Sequence, residues 1–363
     1  MLLETPDYRK LFDSQITGSF RSLLDILRRY PASLSALIGV LAHQKRAEQR
    51  RNQLWAAGTP VPPLLIVSTT DACNLNCAGC YAHALRRDPS PALPEERIHT
   101  LMQEAEDLGV SAVLLAGGEP LLQTAWLDAL AEHPLLAGLV FTNGTLIDDS
   151  WLDWFDRHRQ IVPVISLEGD AAATDRRRGE GVHAVIREKL ALLNGRRIPF
   201  GLSITVNRTN LAQVSSEAWV HEYADAGCRL FLYVEYVPAA SGTEDLVLTS
   251  SEKSALLAWL KAVEATCPAF FMIFPGDEDP YGGCLASARG FVHISTSGDL
   301  EPCPFAPFSD CSLTVCSLSD GLHSRFLSAL REQHQELQES KGGCALWQNR
   351  DWVAKILKEG RGD

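Results

Sequence analysis

No apolar run in the 363-residue chain approaches the roughly 18 to 20 residues that a membrane-spanning helix needs, so integral membrane topology is excluded. Cations are scarce as well. The chain has 33 Lys and Arg against 45 Asp and Glu, a formal charge of −12, whereas grip on a phosphate backbone needs an excess of positive charge. Nucleic acid is therefore not an expected partner. The stretch Met1 to Asp7 carries early acids and lacks a basic-then-apolar pattern, which argues against a secretory signal and for a cytoplasmic location. Internal repeats and low-complexity tracts are also missing. With 46% hydrophobic and 21% charged residues, the composition is globular rather than disordered.

What the chain does have is ten cysteines, at 73, 77, 80, 228, 267, 284, 303, 311, 316 and 344. In a reducing compartment such residues serve metals, redox chemistry or cores more often than disulfides. The length suggests two or three domains, and three segments can be separated. Residues 1–60 read as a helical arm: Phe20, Leu23, Leu24 and Leu27 share a face, Pro31 interrupts, and Leu34, Leu37, Ile38 and Leu41 resume before Lys45, Arg46, Arg50 and Arg51. This arm holds nine basic and five acidic residues, a net +4, which leaves −16 on the remainder. Such an arm either packs on its own domain or makes peripheral contact with an anionic membrane.

Residues 61–246 change rhythm. Six β-branched or Leu-rich runs, at 64–68, 112–116, 139–142, 162–167, 201–206 and 230–236, alternate with helical patterns. That is the spacing of successive βα units with parallel strands, an α/β fold. Six units build either an open three-quarter barrel or an open doubly wound sheet, and both place ligand chemistry in loops at the carboxyl ends of the strands. Residues 247–363 form a smaller, cysteine-rich segment: a helix near 250–265, a strand candidate Phe270 to Phe274, a loop from Gly276 to Gly283, a hairpin turning at Ser297-Gly298-Asp299, and helices near 319–338 and after Cys344.

The first run leads into Cys73-x3-Cys77-x2-Cys80-Tyr81. Three thiolates cannot satisfy four irons, so a cubane held this way keeps one iron open to a substrate or cosubstrate. The alternative on spacing alone is zinc, with His83 completing a Cys3His set. Further motifs follow at successive strand ends: Gly117-Gly118-Glu119-Pro120, Thr142-Asn143-Gly144, Ser166-Leu167-Glu168-Gly169, Asp175-Arg176-Arg177-Arg178-Gly179 and Thr205-Val206-Asn207.

Together these resemble the radical S-adenosylmethionine (radical SAM) enzymes. The resemblance implies a partial (β/α)6 TIM-like barrel whose Cys73, Cys77 and Cys80 hold a 4Fe-4S cluster that binds SAM. It also implies SAM contacts at Tyr81, at Gly117, Gly118, Glu119 and Pro120, and at Asn143, Ser166, Glu168, Arg178, Thr205 and Asn207. Arg178 would meet the SAM carboxylate as a bidentate pair. Radical chemistry of this kind draws an electron from a reductase or flavodoxin-type donor.

Cys284 is followed after 13 residues by Gly298 and then, four residues on, by Cys303. This resembles the first half of the auxiliary-cluster signature in the SPASM and twitch extensions of that family. The dense cysteine run that completes the SPASM pattern is absent. The resemblance implies one auxiliary 4Fe-4S cluster on Cys284, Cys303 and Cys344, the last set by the preceding Gly342-Gly343, with the fourth position left to Cys311, Cys316 or no protein ligand. A structural zinc is the competing reading. Cys228 and Cys267 read as small core hydrophobes.

Peptides and small molecules lead among expected substrates, with a lipid or isoprenoid as the class suggested by the arm. A non-catalytic zinc protein is the alternative outside enzymes. Tyr233, Glu235 and Tyr236 lie at the reactive end of the sixth strand, but no catalytic acid or base is named.

Overall fold

The computed structural model describes residues 8–27, 31–85, 91–274, 278, 281–337 and 344–361. Gly276, Gly342, Gly343 and the side chains of Phe20, Leu23, Leu24 and Leu27 lie outside this description. Nine strands form one sheet in the order β7-β6-β5-β4-β3-β2-β1-β8-β9. They are β1 (Leu64–Ser68), β2 (Ala112–Ala116), β3 (Ala137–Thr142), β4 (Ile161–Ser166), β5 (Phe200–Val206), β6 (Cys228–Glu235), β7 (Phe270–Phe274), β8 (Phe291–Ile294) and β9 (Leu300–Glu301). All neighbours are parallel except β8 and β9.

The six expected strands are present with small shifts at their ends. The alternation does not stop at residue 246, however: the helix Ser250–Val263 returns the chain to β7, which pairs with β6. At the other edge, β8 pairs with β1. The cysteine-rich segment thus extends both edges of the sheet instead of stacking beside it. Two features of this segment differ from the helical pattern. The expected 319–338 helix breaks into Leu318–Leu322, Arg325–Glu332 and a 3-10 turn at His334–Leu337, and the last helix is divided into Ala345–Gln348 and Arg350–Arg361.

Strand parity explains which residues reach the site. Leu65, Val67, Val113, Leu115, Val140, Ile165, Leu202 and Phe231 join one large buried cluster, whereas Val164, Leu230 and Leu232, with Leu139 and Phe141, form another. Side chains alternate across a strand, so these clusters occupy opposite faces. Register then places Ser68, Ser166, Ser203, Thr205 and His293 on the face of the second cluster, mostly at carboxyl ends.

The arm consists of helices Tyr8–Leu27 and Pro31–Ala56, the second begun by Pro31. It docks on the rest of the chain. Arg51 is buried, bonds Asp13 at 2.5 Å and Ser111 Oγ at 2.7 Å, and also donates to the Gly109 carbonyl. Arg50 Nε donates to the Asp107 carbonyl at 3.3 Å. Arg289 lies 4.3 Å over the Tyr8 ring and Phe12 meets Tyr281 edge-on at 5.5 Å. Two of the four cations that suggested an anionic membrane surface are therefore engaged within the protein.

The cysteine loop after β1 rests on the loop after β2. Gly118 N–H donates to the Thr70 carbonyl at 2.6 Å and Glu119 N–H to Ala72 at 2.8 Å. A Cβ on Gly118 would fall 2.0 Å from the Ala72 oxygen, a backbone contact that no rotamer relieves. Gly118→Ala should accordingly cost about 1–3 kcal/mol and displace the cysteine loop. Urea unfolding together with iron analysis after reconstitution checks this, with lower stability and lower iron content both expected.

Candidate active site

Glu119 anchors the cysteine loop. Its carboxylate is buried, with Oε1 accepting from Thr142 Oγ1 at 2.6 Å and Leu121 N–H at 3.1 Å, and Oε2 accepting from Asn143 N–H at 2.8 Å. Burial pushes its pKa up, and these hydrogen bonds oppose the shift. Asn143 in turn donates to Asn74 Oδ1 at 2.8 Å and approaches Cys73 Sγ at 4.0 Å. The ends of β1, β2 and β3 are thus one hydrogen-bonded unit.

Cys73, Cys77 and Cys80 are each half-buried within this unit. Burial raises the Cys73 thiol, and Glu119, Cys77 and Cys80 push the same way against the Leu75 N–H. Burial also raises Cys77, opposed by Arg178 and Arg177. Thiols raised by burial, as Cys73 and Cys77 are, gain thiolate character when a cation arrives, as metal binding requires. No three His, Cys, Asp or Glu side chains among the described residues are grouped to hold a single metal ion. The donor set suits a cubane, whose thiolates bind separate irons.

A second layer comes from β4 and the helix after it. Glu168 is buried and accepts from Arg177 Nη1 at 2.7 Å and from Arg178 at 3.0 and 2.5 Å, and Arg178 Nη1 reaches to 4.0 Å from Cys77 Sγ. The structure thus brings Glu168 and Arg178 together, with Arg177, absent from the expected set, sharing the same Oε1 while the buried Oε2 accepts no hydrogen bond. Asn210 donates to the carbonyls of Glu168 and Thr205, bridging the ends of β4 and β5. Asn207 Oδ1 is occupied locally by Thr209. Ser166 and Thr205 are partly exposed at their strand ends, and Pro120 is buried in a short turn begun by Glu119.

Cys284, Cys303 and Cys344 are all buried. Burial pushes the Cys284 and Cys303 thiols well up, and each is raised further by Glu278 and by Cys344. Cys311 and Cys316 are only partly buried and are bonded to one another across a Cα separation of 7.4 Å. Cys228 and Cys267 are buried in the main core.

Tyr81 lies between the two cysteine sets. Burial pushes its hydroxyl pKa up, and the charges of Cys80 and Cys303 add to the shift. Its ring meets Phe305 edge-on at 4.9 Å. Beside it opens a shallow cleft lined by Ser68, Asp71, Tyr81, Gly117, His293 and Pro304 among others. In its wall His293 links Glu301 Oε2 at Nδ1, 2.8 Å, to Ser68 Oγ at Nε2, also 2.8 Å. Sequence reading missed this relay because its parts lie 225 and 8 residues apart. It also left Tyr236 without a role. That ring sits on Gly79, whose Cβ would fall 2.5 Å from the Tyr236 hydroxyl.

Comparison with known proteins agrees with this arrangement. Residues 67–211 match the family model of the radical SAM superfamily. The mycofactocin maturase MftC of Mycolicibacterium smegmatis is 29% identical over 308 residues, covering 79% of this chain and 76% of that protein. The AdoMet-dependent heme synthase of Methanosarcina barkeri is 25% identical over 280 residues, covering 69% and 79%. Among solved structures, Streptococcus suis SuiB bound to its precursor peptide SuiA superposes with a TM-score of 0.63 at 17% identity, over 80% of this chain and 70% of that one. With AdoMet and the Cp18Cys peptide bound, anSMEcpe gives 0.59 at 14% identity, over 83% and 97%. Residues 67–211, with their three-cysteine loop at the mouth of a parallel sheet, are thus a radical SAM superfamily domain, and the protein is an enzyme.

Proposed function

We propose that this enzyme modifies a peptide bound in the cleft between its two cysteine sets. Cys73, Cys77 and Cys80 would hold the SAM-binding 4Fe-4S cluster, and Cys284, Cys303 and Cys344 an auxiliary one. When bound, the first cluster and SAM supply a 5'-deoxyadenosyl radical that abstracts hydrogen from substrate. The observation that carries this reading is the position of Tyr81, whose hydroxyl feels both Cys80 and Cys303 while its ring lines the cleft. A substrate there lies between a radical source and a second redox centre, which would bind it or accept an electron.

The chain's own residues supply order and exclusion of water. Glu119 and Asn143 hold the cysteine loop, and the Glu168 carboxylate fixes Arg177 and Arg178 beside Cys77. The hydrogen bonds from Asn210 would keep the β4 and β5 ends, with Ser166 and Thr205, in register for the rest of SAM. The Glu301–His293–Ser68 relay provides the cleft with a hydroxyl hydrogen-bonded to a buried histidine that a carboxylate orients. A reductase or flavodoxin-type protein would deliver the electron.

Support for a peptide comes from SuiB and anSMEcpe, whose solved complexes contain peptides. A relative named for heme synthesis makes a tetrapyrrole the competing class. Anaerobic incubation with SAM, dithionite and short peptides encoded beside the gene should give 5'-deoxyadenosine and a mass change in one peptide. Turnover with coproporphyrin and none with any peptide would overturn the reading.

Two variants test the site itself. Replacing Cys73, Cys77 and Cys80 together with Ala should abolish 5'-deoxyadenosine formation, whereas Cys284→Ala should retain much of the uncoupled SAM cleavage, both measured by chromatography. Glu168→Ala leaves two largely buried guanidinium groups without their carboxylate and should destabilise the protein by about 3–5 kcal/mol, read as a lower urea midpoint.

A further inference from the structure

Tyr236 directly follows β6, and its N–H donates to the Val206 carbonyl at 2.9 Å, so strand pairing continues through it. Alternation along the strand puts it on the face of Leu230 and Leu232, the face that Thr205 shares through its register with Val234. Its side chain therefore stands at the carboxyl-end mouth and reaches from the sixth strand to the cysteine loop after the first. A Cβ on Gly79 would fall 2.5 Å from the Tyr236 hydroxyl and 3.0 and 3.1 Å from two of its ring carbons. Gly79 belongs to the turn in which Cys80 N–H donates to the Cys77 carbonyl at 3.3 Å, so the hydroxyl abuts the link between two of the three thiols. Tyr236 is 4% exposed, yet its hydroxyl has no hydrogen-bond partner among the described residues. Tyr233, on the other face of the same strand, is equally buried and does have one, the Val214 carbonyl at 2.6 Å. Buried hydroxyls are as a rule hydrogen-bonded, so one that lies against the cysteine loop without an acceptor points to an acceptor that arrives with the cofactor.

We propose that the Tyr236 hydroxyl donates a hydrogen bond to a sulfur of the SAM-binding cluster and so tunes its potential; this rests on the reading that Cys73, Cys77 and Cys80 hold that cluster. The chemistry of the two groups matches. Tyrosine offers one O–H donor, and the sulfurs of a cubane are acceptors whose negative charge grows on reduction. A donor aimed at them stabilises the reduced form more than the oxidised one and raises the potential, which eases loading of the electron that SAM cleavage consumes. The ring gives the contact its rigidity, since it is packed on Gly79 where no side chain intervenes. Tyr236 would act through the cluster as a positioning and tuning residue, without touching the substrate.

The test is a potentiometric titration of full-length, reconstituted protein without SAM, followed by electron paramagnetic resonance of the signal that SAM perturbs when added afterwards. Wild-type protein lacking any such signal would refute the cluster reading itself and so separates that failure from failure of the Tyr236 assignment. Tyr236→Phe keeps the ring against Gly79 and removes only the hydroxyl. It should retain its iron, and at the poise where the wild-type cluster is half reduced its ratio of reduced to oxidised cluster should fall about tenfold, a midpoint lower by about 59 mV for one electron. Fluorotyrosine placed at position 236, a stronger donor of nearly the same size, should move the midpoint the opposite way. Equal midpoints in all three proteins would overturn the assignment. So would a difference that appears only once SAM is present, since the acceptor would then be on SAM. If Tyr236→Phe fails to hold iron, the fluorotyrosine protein decides alone, an unmoved midpoint overturning the proposal and a raised one supporting it.

Discussion

The buried carboxylate of Glu119 is the contact on which the rest of the site depends. It stands at the end of β2, yet it receives the hydroxyl of Thr142 and the N–H of Asn143 from the end of β3. The same segment lies so close to the cysteine loop that only glycine fits at position 118. Three loops that would otherwise move independently are thereby held as one body. Hydrogen bonds to a charged acceptor are among the stronger ones in proteins, on the order of 1.5–3 kcal/mol each, which offsets the cost of burying the acid. A cysteine loop held in this way presents its sulfurs to a cluster without having to be ordered by it.

From that body the geometry runs outward in two directions. Along β4 and β5, Glu168, Arg177, Arg178 and Asn210 form a bonded layer next to Cys77. Along β8 and β9, the hairpin beside β1 carries His293 and Glu301 to the cleft wall and leads into Cys303. Thr296 Oγ1 donates to Asp71 at 3.1 Å, so hairpin and cysteine loop also touch directly. Cys303, just after β9, is therefore carried by the same sheet as the three-cysteine loop, through strand pairing rather than a flexible linker.

Much of this was legible in the sequence because it is local. The six strands were marked by short apolar runs between helical patterns, and the cysteine loop and the Gly117-Gly118-Glu119-Pro120 segment announce themselves by spacing. What escaped depends on long-range closure. Pairing of β7 with β6 and of β8 with β1 has no local signature, so the sheet continues where the alternation had seemed to end at residue 246. The partners of Arg178 and Tyr81 come from other segments, and only the fold shows that Glu168 occupies the first and that Phe305 packs on the second.

The most direct test of the account is electron paramagnetic resonance of the reduced, reconstituted full-length enzyme, recorded without and then with SAM. Two cluster signals are predicted, of which one changes when SAM occupies the open iron and the other does not. An iron-free zinc protein, or spectra that SAM leaves untouched, would contradict it.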